Sequence, residues 1–223
     1  MWDDNKLIKM FDILKNSPQL SEAPVVFFMS TVGDGPLRVL MSTILSLRTK
    51  DEVTGPATVR LFDVVTTPKD ISDISIEQIE KLIYPVGFYK TKARQIHKIA
   101  HILQDTYDST VPADLDLLLE LPGVGRKTAN LVMAVAFEKP AICVDIHVHR
   151  ISNRLGICET KNPEETEFYL RDTVSQNIWN EFNRPLVALG QVICRPISPK
   201  CSLCPIENMC DKKIIKNIKA NKR

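Results

Sequence analysis

No apolar run in the 223 residues approaches the ~18–20 that a membrane span requires. The opening stretch MWDDNKLIKMFDILKN is amphipathic and partly acidic, and it lacks the apolar core and cleavage site of a signal peptide. A cytoplasmic protein is therefore expected. An excess of one charge is also missing: 29 Lys and Arg face 27 Asp and Glu, leaving a formal charge of +2, so bulk charge does not announce a nucleic-acid binder and local charge must be read instead. The period-two alternation of strands is nearly absent. The only strand-like pieces, Val25–Met29 and Ala141–Val144, are too short and isolated to build a sheet. There is no solenoid-length repeat and no low-complexity linker. With 44% apolar residues, enough for one large or two small domains, the chain reads as all-α.

Helical signals fill that frame. Leu37, Leu40, Ile44 and Leu47 recur at helical spacing after Asp34-Gly35-Pro36, where proline suits the first helical position. Ser75 and Gln78 form a capping-box pattern, and Asn162-Pro163-Glu164-Glu165 marks another helix start. The longest clean stripe is Ala93, Ile96, Ala100, Leu103 and Tyr107.

The segment Leu115–Phe137, LDLLLELPGVGRKTANLVMAVAF, carries the most chemistry. A short apolar helix runs into Gly123-Val124-Gly125, and a second helix follows. Two glycines around one valine make a tight turn whose backbone N–H groups are uncovered by side chains, a ready site for a phosphate oxygen at a helix N-terminus. Arg126 and Lys127 add charge there. An ordinary αα-hairpin would give the same pattern; a helix-hairpin-helix element would read duplex DNA through its backbone. Lys127 is either one more phosphate contact or a nucleophilic amine. As a nucleophile it needs help, since at an unperturbed pKa of about 10.4 only roughly one molecule in 2,500 is neutral at pH 7. If its helix climbs to about Lys139 and the run Ala141–Val144 returns extended, Asp145 comes back to the level of Lys127 and opens the next helix as N-cap. Read alone, Asp145 is that cap and nothing more.

Of six cysteines, Cys143 and Cys158 stand alone, while Cys194, Cys201, Cys204 and Cys210 crowd into one short segment, a pattern that in a reducing compartment suggests metal. Their six-, two- and five-residue spacing lacks the paired knuckles of zinc ribbons, and four thiolates satisfy either tetrahedral zinc or a [4Fe–4S] cluster. The final stretch DKKIIKNIKANKR holds six basic residues against one acid, either a solvated terminus or a phosphate contact.

Taken together, LPGVGRKTAN, CVDIHVHR eighteen residues from lysine to aspartate, and the four-cysteine segment resemble the endonuclease III family of base-excision DNA glycosylases, with LSLRTKDEVT and VGFYKTKA as further matching blocks. The resemblance implies two helical lobes of the helix-hairpin-helix glycosylase type, one contiguous over 29–139 and carrying the hairpin. The other would join 1–28 to 140–223 and carry the cluster segment 194–210, with DNA held in the cleft between the two. It implies Lys127 as nucleophile, Asp145 as essential carboxylate, and a [4Fe–4S] cluster on the four cysteines with a structural and DNA-docking role. Phe88 matches the wedge position, where leucine is more usual, and Arg48 a position commonly held by glutamine, which probes the opposite strand. Lys90, Lys200 and the hairpin residues Gly123, Val124, Gly125 and Arg126 would meet phosphate, and His147 would help shape the pocket. The implied activity is a bifunctional glycosylase and abasic-site lyase acting on oxidised pyrimidines in duplex DNA. The alternatives are a mismatch or uracil-type glycosylase and a non-catalytic DNA-binding module with structural zinc. A monomeric, nucleoid-associated protein without membrane contact is expected.

Overall fold

Helix boundaries follow local chemistry closely. The computed structural model describes residues 2–33 and 35–211, and twelve α-helices run through them. They are α1 (Asp4–Lys15), α2 (Pro24–Val32), α3 (Pro36–Ser46), α4 (Asp51–Phe62), α5 (Pro68–Asp73), α6 (Ile76–Ile83), α7 (Tyr89–Tyr107), α8 (Leu115–Leu119), α9 (Arg126–Ala136), α10 (Ile146–Leu155), α11 (Pro163–Thr173) and α12 (Asn183–Val192). Pro36 opens α3, and the Ser75/Gln78 box heads α6 with both reciprocal bonds formed. Asn162 caps α11 by accepting from the Glu165 N–H. No strand occurs among the described residues, and none of their helices is long and apolar enough to cross a membrane.

Two expectations from local pattern are corrected. Val25–Met29 is not strand-like but lies inside α2, where Pro24 starts a helix whose apolar run is too short for periodicity to separate helix from strand. The hairpin's second helix stops at Ala136, not near Lys139. Glu138 turns into the left-handed region at φ 52°, and the Lys139 N–H folds back to the Met133 carbonyl.

The chain divides into two compact units, one contiguous over 27–139 and one joining 1–26 to 140–223. In the contiguous unit, α3 packs on α4, α7 and α9, and α7 packs on α5 and α6. Its core is built from Leu40, Met41, Ile44, Leu61, Ile79, Ile96, Leu103 and Val132. In the other unit, α12 packs on α1 and α10, with Phe11 and Phe182 meeting edge-on at a centroid distance of 4.9 Å. Ala141–Val144 is irregular and buried. Asn180 accepts from the Ala141 N–H and Asn183 donates to the Cys143 carbonyl, side chains that take the place of a partner strand for these two groups.

Candidate functional site

Asp114 caps α8 through two backbone N–H groups, and the chain turns at Leu121–Gly125 into α9. Gly123 adopts φ 80°, which calls for glycine, and a Cβ there would lie 2.5 Å from the Gln95 amide of α7, so that side chain would have to shift. Gly125 is extended, exposed and open, with nothing within 4 Å of a would-be Cβ. Val124 differs from the expected phosphate contact. Its side chain is buried and its N–H is bonded to the Leu121 carbonyl, which leaves the glycines as the turn's solvent face. No side chain caps α9. Arg126 and Lys127 occupy its first turn, both partly exposed.

A second feature of the same unit lies between α3 and α4 and at the start of α7. Arg48 and Phe88 are exposed and both left-handed, at φ 53° and 58°, a conformation costing roughly 1–2 kcal/mol for a residue with a Cβ. Phe88 is 63% exposed, so it is no core aromatic. The Arg48 guanidinium lies 5.8 Å from the Phe88 ring centre, within cation–π range. Lys90 is exposed two residues further on. Arg60 of α4 braces this loop by donating to the carbonyls of Leu82 and Tyr84. Beneath it Lys92 is only 4% exposed, and burial pushes its ammonium down to about 8. Sequence reading passed over Lys92, Gln95 and Gly87. For Lys92 a signal existed: it stands at helical spacing with Ile96, Ile99 and Leu103, a lysine on an apolar stripe.

In the other unit, Asp145 caps α10. Its Oδ1 accepts from the N–H groups of His147 and Val148 at 2.8 and 2.9 Å, while its Oδ2 has no hydrogen-bond partner among the described residues. His147 Nδ1 lies 3.1 Å from Arg150 Nη2. Arginine can only donate, so Nδ1 accepts and a neutral ring carries its proton on Nε2. Gly190 of α12 makes room for both, since a Cβ there would sit 2.4 Å from His147 Nδ1.

The four clustered cysteines, all partly buried, line one cavity of about 30 Å³ together with Ile151, Leu155, Leu189 and Ile193. Burial pushes the Cys204 thiol up to about 11, and the other three cysteines add to the rise, so four thiolates need a compensating cation. Arg154, buried beside them, donates to Cys194 Sγ at 3.3 Å and to the carbonyls of Arg195 and Pro196. Among the described residues no group of three or more His, Cys, Asp or Glu is arranged to hold a metal ion. The donor set nonetheless suits a thiolate-bound group, because all four cysteines line one cavity with apolar walls. Lys200 is exposed in this segment, and the basic stretch after Asp211 lies outside the described residues. Lys127 belongs to the contiguous unit, and Asp145, His147 and the cysteines to the other.

Residues 41–176 match the HhH-GPD superfamily base excision DNA repair protein family. Endonuclease III of Thermotoga maritima is 47% identical over 79% of this chain and 83% of its own length. That of Rickettsia conorii is 33% identical over 93% and 94%. The chloroplastic endonuclease III homolog 2 of Arabidopsis thaliana is 44% identical, but the chain spans only about half of it. Among solved structures, a non-covalent endonuclease III–DNA complex superposes with a TM-score of 0.81 at 33% identity, covering 97% of this chain and 99% of that one. A trapped covalent endonuclease III–DNA intermediate gives 0.80 at the same identity and coverage.

Proposed function

The chain belongs to the HhH-GPD superfamily of base excision DNA repair proteins and, within it, to the endonuclease III family, and on that footing we propose that Lys127 and Asp145 are its catalytic residues. The protein is a DNA glycosylase and abasic-site lyase of base excision repair, and oxidised pyrimidines in duplex DNA are its substrate class. The observation that carries the residue assignment is the position of Lys127, inside the first turn of a helix whose uncapped, glycine-flanked start faces solvent. A phosphate held at that turn brings the adjoining sugar to the same helix end.

The chemistry follows from those groups. The Lys127 amine attacks C1′ of the damaged nucleotide as the N-glycosidic bond breaks, and the base leaves with the bonding pair and takes up a proton. Positive charge develops on the sugar, and the carboxylate of Asp145, with one oxygen uncommitted, stabilises it. The sugar ring then opens as C1′–O4′ breaks, O4′ taking up the proton that the attacking nitrogen loses, and the resulting Schiff base acidifies the C2′ proton, whose loss expels the 3′ phosphate oxygen. Water then releases the lysine. His147, pinned by Arg150 and Gly190, offers an Nε2–H at the same helix start.

Cys194, Cys201, Cys204 and Cys210 would hold a [4Fe–4S] cluster. Its contribution is cross-linking of the segment that presents Lys200, and base excision requires no electron from it. Arg154 offsets thiolate charge there. Iron and sulfide at about four each per chain in anaerobically purified protein are the expected analysis; stoichiometric zinc would replace the cluster by a structural ion.

Borohydride trapping tests the whole reading. Wild-type protein on a duplex with an oxidised pyrimidine should become covalently linked, and Lys127→Gln should lose trapping and strand incision while keeping most duplex binding. Base release without trapping in the wild type would point to a monofunctional mismatch or uracil-type enzyme. Binding with neither would leave a non-catalytic DNA-binding module.

A further inference from the structure

Lys92 stands where its own helix disfavours it. It lies in the opening turns of α7, near the positive end of the dipole, and burial strips water from its ammonium. What it meets there is the end of a different helix. Its Nζ donates to the carbonyls of Leu45 and Leu47, in the last turn and C-cap of α3, at 2.7 and 2.5 Å, and to the Thr49 hydroxyl at 3.0 Å. All three ammonium protons are used. The open carbonyl end of α3 is thereby closed by a cation, the sign its dipole favours.

Arg48 stands between those acceptors. The Thr49 hydroxyl also accepts from the Gly87 N–H at 3.2 Å, and Gly87 comes so near that a Cβ would lie 2.9 Å from the Arg48 carbonyl. Gly87 is the residue before Phe88. One buried ammonium and one hydroxyl therefore tie together the two segments that carry Arg48 and Phe88, both held in sparsely populated left-handed conformations that untied loops would leave.

We propose that Lys92 is a positioning residue for base excision: from inside the fold it locks residues 47–49 to residues 87–88, so that Arg48 and Phe88 meet the duplex as one rigid, two-pronged probe. This rests on the reading of the chain as a glycosylase whose exposed Arg48 and Phe88 enter the DNA when a base is extruded. A wedge that recoils cannot keep a base out of the stack, and an opposite-strand probe that wanders cannot tell one partner base from another. Lys92 touches neither DNA nor the reacting sugar; its effect passes wholly through the two prongs.

The experiment is a mutant cycle. Single-turnover excision of an oxidised pyrimidine, placed opposite adenine or guanine, is measured for wild type, Lys92→Met, Arg48→Ala/Phe88→Ala, and the triple variant, with rates scaled to the trappable fraction. Lys92→Met should slow excision about tenfold in the wild-type background and pull the adenine-to-guanine rate ratio toward that of Arg48→Ala/Phe88→Ala. In the Arg48→Ala/Phe88→Ala background the same change should add no more than about twofold. A merely structural lysine would give the same factor in both backgrounds, and that result, or no effect in either, overturns the proposal. An Arg48→Ala/Phe88→Ala protein that excises like wild type would instead defeat the DNA-probe reading itself, and the inference with it. If Lys92→Met does not fold, Thr49→Val, which removes only the shared hydroxyl, replaces it in the same cycle with an expected loss of about threefold and the same dependence on background.

Discussion

On the proposed assignment Asp145 serves two purposes on two oxygens. Oδ1 caps α10, which asparagine does nearly as well, whereas only a carboxylate carries the charge a cationic sugar needs. Asp145→Asn should therefore leave the thermal midpoint within a few degrees while single-turnover excision drops by about a thousandfold or more. A rate loss no larger than the loss of folded protein would reduce the residue to its cap. Lys92 makes a separate prediction through linkage. Its folded value, about 8, lies below the 10.5 of the free side chain, so between those values the unfolded chain binds more protons. The penalty for burying the ammonium is fully present below pH 8 and is relieved as pH rises toward 10.5. In urea unfolding, the stability of wild type relative to Lys92→Met should accordingly increase from pH 7.5 to 10, and a flat difference would mean the group is not desolvated. These two residues also mark what sequence can reveal. The cap of Asp145 is local, written in the next three residues, and legible. The partners of Lys92 lie more than forty positions away, and only the oddity of a lysine on an apolar stripe hinted at them.

At the scale of elements, the hairpin separates two glycines that look alike in sequence. Gly123→Ala puts a Cβ at a positive φ and displaces the Gln95 amide, and should cost about 1–2 kcal/mol of stability. Gly125→Ala meets open space at an ordinary φ, so it should be neutral or slightly stabilising, yet it puts a methyl group on the face where phosphate would approach. Denaturation and duplex titration of both variants check this dissociation; Gly125→Ala with unchanged affinity would move the phosphate elsewhere. The helix ends that sequence placed well, at Pro36, Ser75 and Asn162, are starts signalled by the residue type itself. The ends it misplaced, at Val25–Met29 and after Ala136, depend on packing and on a left-handed Glu138 that no residue type announces.

For the molecule as a whole, the all-helical architecture was legible from missing alternation, whereas composition gave no boundary between units because no linker separates them. Formal charge is only +2, so affinity for DNA has to come from local cations. If Arg126, Lys90, Lys200 and part of the terminal basic stretch each neutralise a phosphate, log K against log salt should fall with a slope near four to six contacts at ~0.9 each. Removing residues 212–223 should flatten that slope by about one or two units without changing sequence preference. An unchanged slope would assign those basic residues to solvent alone.

The first 26 residues belong with residues 140–223, and a complete contiguous unit is threaded between them. On the ribosome this sets a timetable. Leu7, Met10, Phe11 and Leu14 emerge well before the α12 surface that covers them and the Leu155 carbonyl that accepts from the Trp2 indole. Residues 27–139 form a compact unit of their own, while the amphipathic α1 waits with its oily face uncovered. In a nascent chain halted after residue 182, just before α12, limited proteolysis should cut residues 1–26 and spare 27–139. Helix α1 is thus the element most in need of a chaperone, and synthesis of α12 decides when it is released.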